Sequence, residues 1–224
     1  MKRIIPLKHP IATLVGLAIA LSGIPAFIAS YRIISGENHS DWQVVVREIG
    51  IFLIVGVLLW IVQRKEVLPL SSIGWHADAL LRSFLRGLGL AAIVLAVTVG
   101  LYLLLQRAGV RLGEDHGNAF HPTLLVTTLI MLRAGVAEEI FYRGYAIERL
   151  QSLTGSKWLA GLVPLVLFAA SHYRQGLGGI IAAFALGGIF TAFYVRFRDL
   201  PANITAHFLV DFFLNVILPL VSGG

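Results

Sequence analysis

The sequence predicts an all-α protein, a polytopic membrane helical bundle of about seven transmembrane helices. Three observations predict it. Hydrophobic residues make up 57% of the 224 positions and charged residues only 13%, where a soluble domain carries about 25% charged. The apolar residues fall in blocks about 20 residues long, the length that carries a helix across a bilayer core. The blocks are continuous rather than alternating, which selects helices over a barrel, the two structures that satisfy every backbone polar group in lipid.

Taken in order, the apolar segments lie near residues 11–30, 44–62, 87–105, 122–148, 158–173, 177–195 and 200–220. The first follows a basic start (Lys2, Arg3, Lys8) and ends near the small residues Ala29 and Ser30, a signal-peptide-like pattern. Its apolar span exceeds a usual signal core, so a retained helix is expected. Between the second and third segments, residues 66–86 are moderately apolar and read as an interfacial stretch. Short connections make the last four segments neighbours in one bundle, so residues 1–84 divide from a core at 85–220. Gly176, Gly178, Gly179, Gly187 and Gly188 suit close helix packing in the sixth segment. Pro164 suits a bend in the fifth.

Lys and Arg set the orientation. With the N-terminus cytoplasmic, twelve fall on the inner side and five (Arg32, Arg47, Arg107, Arg111 and Arg174) on the outer, with Arg133 inside a helix. The net charge of +6 therefore reads as the loop bias of a membrane protein, and no nucleic-acid partner is expected. The absence of cysteine excludes disulfides, thiolate catalysis and cysteine-bound metals.

Several ionisable residues sit where they are costly. The fourth segment carries Glu138, Glu139, Tyr142 and Arg143, the fifth Phe168 and His172, and the seventh His207 and Asp211. A charge at bilayer depth costs roughly 2.5–3.5 kcal/mol on insertion scales, so such residues point to a functional site. Glu139–Arg143 and His207–Asp211 are spaced four apart and share helix faces. At about 1.5 Å rise per residue, Glu138, His172, His207 and Asp211 fall roughly 18, 22, 12 and 18 Å from the inner ends of their helices, in one slab of membrane. Three carboxylates against Arg143 leave an excess of negative charge. A protonated carboxyl, a cationic histidine or a bound cation would resolve it. A carboxylate beside an imidazole can activate water, and two histidines with a carboxylate can hold zinc; the residue types leave both open.

The motifs Glu-Glu-x-x-x-Arg (138, 139, 143), Phe-x-x-x-His (168, 172) and His-x-x-x-Asp (207, 211) occur in order on successive helices. This set resembles the CPBP family, the CaaX-protease and bacteriocin-processing (Abi) membrane proteins, over about residues 85–220. The resemblance implies glutamate-dependent intramembrane endopeptidase chemistry on a membrane-associated peptide or protein, with a prenylated CaaX terminus as one family option and bacteriocin leaders or other membrane peptides as others. It implies Glu138 as the base that activates water, and His172 and His207 as groups that polarise the scissile carbonyl or stabilise its oxyanion. Asp211 then assists, in place of the commoner Asn, and Glu139 and Arg143 form a structural pair. The motifs of site-2-type, presenilin-like and rhomboid-like proteases are absent.

Blander roles compete. Glu139–Arg143 suits an ordinary ion pair. His207 and Asp211 can glue helices. Arg133 is expected to snorkel or cap its helix. Asn203 either supports His207 or caps near Pro201. Glu114, Asp115, His116 and His121 read as a solvated loop. A non-catalytic immunity or scaffold protein and, less well, a transporter are the alternative functions. A scaffold need not keep Glu138 and both histidines, and a transporter would more often show repeats and broken helices.

Overall fold

The computed structural model describes residues 9–36, 40–110 and 120–222. Among them the chain is helical throughout, with no strand. Helix α1 (Pro10–Ser35) starts with proline at its first turn, where the missing N–H costs nothing. Helix α2 (Asp41–Trp60) is opened by a capping box between Ser40 and Gln43 and continues through a wide turn, Ile61–Lys65. Helix α3 spans Leu80–Arg107.

The fourth crossing is composite. Helix α4 (Leu124–Arg133) runs into a π-helical segment, Ala134–Ile147, and then α5 (Glu148–Thr154), which stops at Gly155 with φ 67°. Helix α6 (Lys157–Ser171) is capped by the Ser156 side chain, and α7 covers Gly176–Phe197. Helix α8 (Leu200–Phe212) continues through a wide turn, Phe213–Ile217, into α9 (Leu218–Ser222).

Seven crossings thus stand where seven apolar segments were expected. Five are long and apolar enough to span a membrane: Pro10–Ser35, Asp41–Lys65, Ala77–Arg107, Tyr173–Phe197 and Leu200–Val221. The most apolar stretches of these five are only 22–33% buried, and apolar side chains such as Leu53, Leu104 and Leu125 face outward. The fourth crossing misses that criterion because it carries the charged cluster; α6 misses it because it is short. Charged groups are inside and apolar ones outside, the arrangement of an integral membrane protein.

Two expectations need correction. The third helix begins at Leu80, earlier than position 87. Residues 66–79 are not a free interfacial stretch. They form short 3₁₀ turns that fold back onto the bundle and bury Glu66, Ser72 and Ile73. Glu114, Asp115 and His116 lie outside the described residues; His121 is exposed.

Lipid gives little hydrophobic drive between helices, so close packing and polar ties must hold the bundle. One end is knitted by three ion pairs. Arg149 grips Glu66 with Nη2–Oε2 at 2.8 Å and Nε on both oxygens, and the Tyr145 hydroxyl donates to the same carboxylate at 2.9 Å. Arg198 holds Glu148 through two 2.6 Å bonds, joined by the Tyr194 hydroxyl. Arg86 meets Asp199 at 3.0 Å. These ties fix the π segment and α5 to the chain before α3 and to the α7–α8 corner. Toward the opposite end the helices part around a cavity.

Candidate active site

The π segment places the site. Its hydrogen bonds run i→i+5, so the chain winds wider than an α-helix, a feature frequent at functional sites. Gly135 lets it approach α8: a Cβ there would lie 2.9 Å from the Phe208 backbone nitrogen. On this segment Glu138 and Glu139, adjacent in sequence, do different things.

Glu139 is wholly buried. Its carboxylate accepts from Arg143 Nη1 at 2.7 Å, from Asn203 Nδ2 at 2.9 Å and from His207 Nδ1 at 2.8 Å. It is therefore more than a partner for Arg143. It joins the π segment to α8 and fixes the ring of His207, which also stacks on Phe190 at 5.2 Å. The remaining ring nitrogen, Nε2, faces Asp211 Oδ2 at 3.4 Å and Glu138 Oε2 at 4.0 Å. Asn203 supports His207 through Glu139; the helix cap is Asp199, whose side chain accepts from Ala202 N.

Glu138 lies at the cavity wall with 15% of its side chain exposed. Its Oε1 accepts from Arg133 Nη1 at 3.1 Å. Arg133 neither snorkels nor caps. It is buried and also donates through Nε to Glu48 on α2. The sequence signal for this tie was weak, because residues five apart lie on different faces of an α-helix and meet only in the wider winding. The polar cluster consequently reaches α2, beyond the last four crossings.

His172 closes α6. Its Nδ1 donates to the Phe168 carbonyl at 2.8 Å, which leaves Nε2 as the ring's acceptor. The Phe168 ring packs 4.7 Å from the His172 ring and carries the Arg143 guanidinium on its face at 4.4 Å. The four-residue spacing of Phe168 and His172 thus lets the phenylalanine hold the imidazole through both its carbonyl and its ring.

Glu138, His172, His207 and Asp211 all line one cavity of about 360 Å³, with Arg133, Gln175 and Phe190. Val94, Ile130, Met131, Leu186 and Val210 make much of the remaining wall apolar. A second cavity of about 240 Å³ shares Glu138, His172, Arg133 and Gln175 and is bounded by Ile24, Pro25 and Ile28 of α1, with Arg32 and Arg174. Glu138 and His172 therefore stand between two chambers. Gln175, which belongs to both, had no motif to reveal it.

The charge problem posed by the sequence has a fuller account. The carboxylates are Glu48, Glu138, Glu139 and Asp211, and the guanidiniums are Arg47, Arg133 and Arg143. One extra proton on His207, whose two nitrogens both face carboxylates, makes the cluster neutral. Among the described residues no three or more His, Asp or Glu side chains are arranged to hold a metal ion. His207 Nδ1 is held by Glu139 and His172 Nδ1 by a main-chain carbonyl, which fixes both rings and leaves each Nε2 for chemistry.

Fold and site together define a polytopic helical membrane protein with a buried glutamate–histidine centre. A family model described as "Rce1-like: Type II CAAX prenyl endopeptidase Rce1-like" matches residues 120–213, a span that holds Glu138, His172, His207 and Asp211. Over these residues the chain is similar to the Rce1-like endopeptidases, in keeping with the resemblance its motifs carry. No curated protein and no solved structure matches it.

Proposed function

We propose that this chain is an intramembrane endopeptidase that hydrolyses a peptide bond of a membrane-associated substrate, with a prenylated CaaX-type terminus as the class to test first. One observation carries the reading: Glu138, His172, His207 and Asp211, drawn from three crossings, line a single cavity between lipid-facing helices. The family match over the same residues supports it.

The substrate enters extended, with the scissile bond beside Glu138 and His172 and its two flanks in the two chambers. Glu138 takes a proton from water as the oxygen attacks the carbonyl carbon. The carbonyl π electrons move to oxygen, and N–H donors stabilise the oxyanion. His207 Nε2, aimed at the cavity by Glu139 and Asp211, is the donor best placed for this. His172, with Nε2 as acceptor, orients the water. The C–N bond then breaks, and the proton held on Glu138 passes to the leaving amine. Asp211 keeps the His207 ring in register.

The test is purified chain in nanodiscs, supplied with prenylated and unprenylated CaaX peptides, with products read by mass spectrometry. Cleavage by wild type, lost in Glu138→Gln and reduced at least about 100-fold in His207→Ala, is the expected result. Equal cleavage by Glu138→Gln would remove the general base from the account. Binding without cleavage by wild type would favour a non-catalytic role.

A further inference from the structure

All four candidate site residues come from the second half of the chain, yet Glu138 is held from the first half. Arg133 serves two carboxylates at once. Its Nε donates to Glu48 Oε2, and its Nη1 donates to Glu138 Oε1 at 3.1 Å. Glu48 sits on α2, wholly buried, and its other oxygen accepts from Arg47 Nε at 2.8 Å and Nη2 at 2.6 Å. The row Arg47–Glu48–Arg133–Glu138 alternates in sign and is neutral as a unit. Glu48 and Arg47 lie outside the span that matches the family model.

A guanidinium free to choose grips a carboxylate with two parallel N–H bonds. Glu138 receives only one, on Oε1, while Glu48 holds Nε of the same guanidinium. Oε2 of Glu138 is left toward His207 and the cavity. We propose that Glu48 is a positioning residue: by holding Arg133 it keeps one oxygen of Glu138 open to water. This rests on the reading of Glu138 as the base. Without Glu48, a buried Arg133 has one carboxylate left and turns to take both oxygens of Glu138. His207 and Asp211 on α8 and His172 at the end of α6 face the same space and are unchanged by the substitution.

The experiment uses the full chain in nanodiscs and the variants Glu48→Gln, Glu48→Asp, Arg133→Gln and the double variant Glu48→Gln/Arg133→Gln. Glu48→Gln lowers kcat about tenfold and leaves KM within about twofold, the pattern of a group that acts on the chemical step. Glu48→Asp recovers to within about threefold of wild type, and Glu48→Gln adds no loss on the Arg133→Gln background, because the two act in series. A kcat for Glu48→Gln equal to wild type, or losses that multiply in the double variant, would overturn the proposal. A second readout needs no substrate. Carbodiimide labelling of Glu138, followed by mass spectrometry, slows in Glu48→Gln, where two N–H bonds shield the carboxylate, and speeds in Arg133→Gln, where none does. Unchanged labelling in Glu48→Gln overturns the proposal by itself. Full peptidase activity in Glu138→Gln would instead refute the base, while the labelling still reads the clamp.

Discussion

Replacing Glu139 by Gln removes a charge that three donors share. Arg143, 1% exposed, loses its carboxylate and keeps the Gly187 carbonyl at 3.2 Å and the face of the Phe168 ring. The Gln amide also presents N–H either to Asn203 Nδ2 or at the oxygen position that Arg143 and His207 share. Breaking a buried pair from one side costs roughly 3–5 kcal/mol. At about 2–4 °C per kcal/mol for a chain of this size, the midpoint of thermal unfolding falls by roughly 6–20 °C. Glu138→Gln, next in sequence, keeps an acceptor for Arg133 and part of its exposure, so the midpoint moves by only about 1–4 °C. Tryptophan fluorescence during heating, with peptide cleavage measured in parallel, separates the two. Glu138→Gln should be folded and inactive, and Glu139→Gln should be unstable. Equal unfolding midpoints would refute the assignment of separate jobs to the adjacent glutamates.

Other predictions follow from the same geometry. Arg149→Met and Glu66→Leu should each destabilise by about 3–5 kcal/mol, and together recover most of the loss, since no lone buried charge remains; a thermal double-mutant cycle reads this. Phe168→Leu removes the ring between Arg143 and His172 and should cut kcat several-fold at nearly unchanged unfolding midpoint, measured by cleavage kinetics. Gly135→Ala puts a methyl 2.9 Å from the Phe208 backbone nitrogen and should cost about 1–3 kcal/mol in thermal stability. The chain has no cysteine, so single-cysteine variants report topology directly. Ser156→Cys should label from the cytoplasmic side and Arg107→Cys from the outer side, as the Lys and Arg bias predicts.

Much of this was legible in the sequence because lipid leaves few choices. Helices must satisfy their own backbone, so apolar blocks announced the crossings, and charges inside those blocks marked the candidate site. The third helix started earlier than hydropathy indicated because its first turns, with Arg82 and Arg86, are polar. The pairing of Arg133 was hidden for two reasons. Its tie to Glu138 depends on the π winding, which hydropathy does not report. Its tie to Glu48 spans 85 positions, and no motif links them. Asn203 was noticed but ambiguous, since support through Glu139 requires knowing that α8 faces the π segment. Depth along each helix was readable, whereas the identity of each hydrogen-bond partner required the packed structure.

The central claim is that a water, a scissile carbonyl, Glu138 and the two histidines meet in one membrane-enclosed chamber. A structure of the chain bound to a phosphonate analogue of a prenylated CaaX peptide tests it most directly. The account predicts one phosphonate oxygen within hydrogen-bonding distance of Glu138 and another facing His207, with the peptide flanks in the two chambers. An analogue bound elsewhere, or Glu138 and His207 drawn more than about 10 Å apart around it, would contradict it.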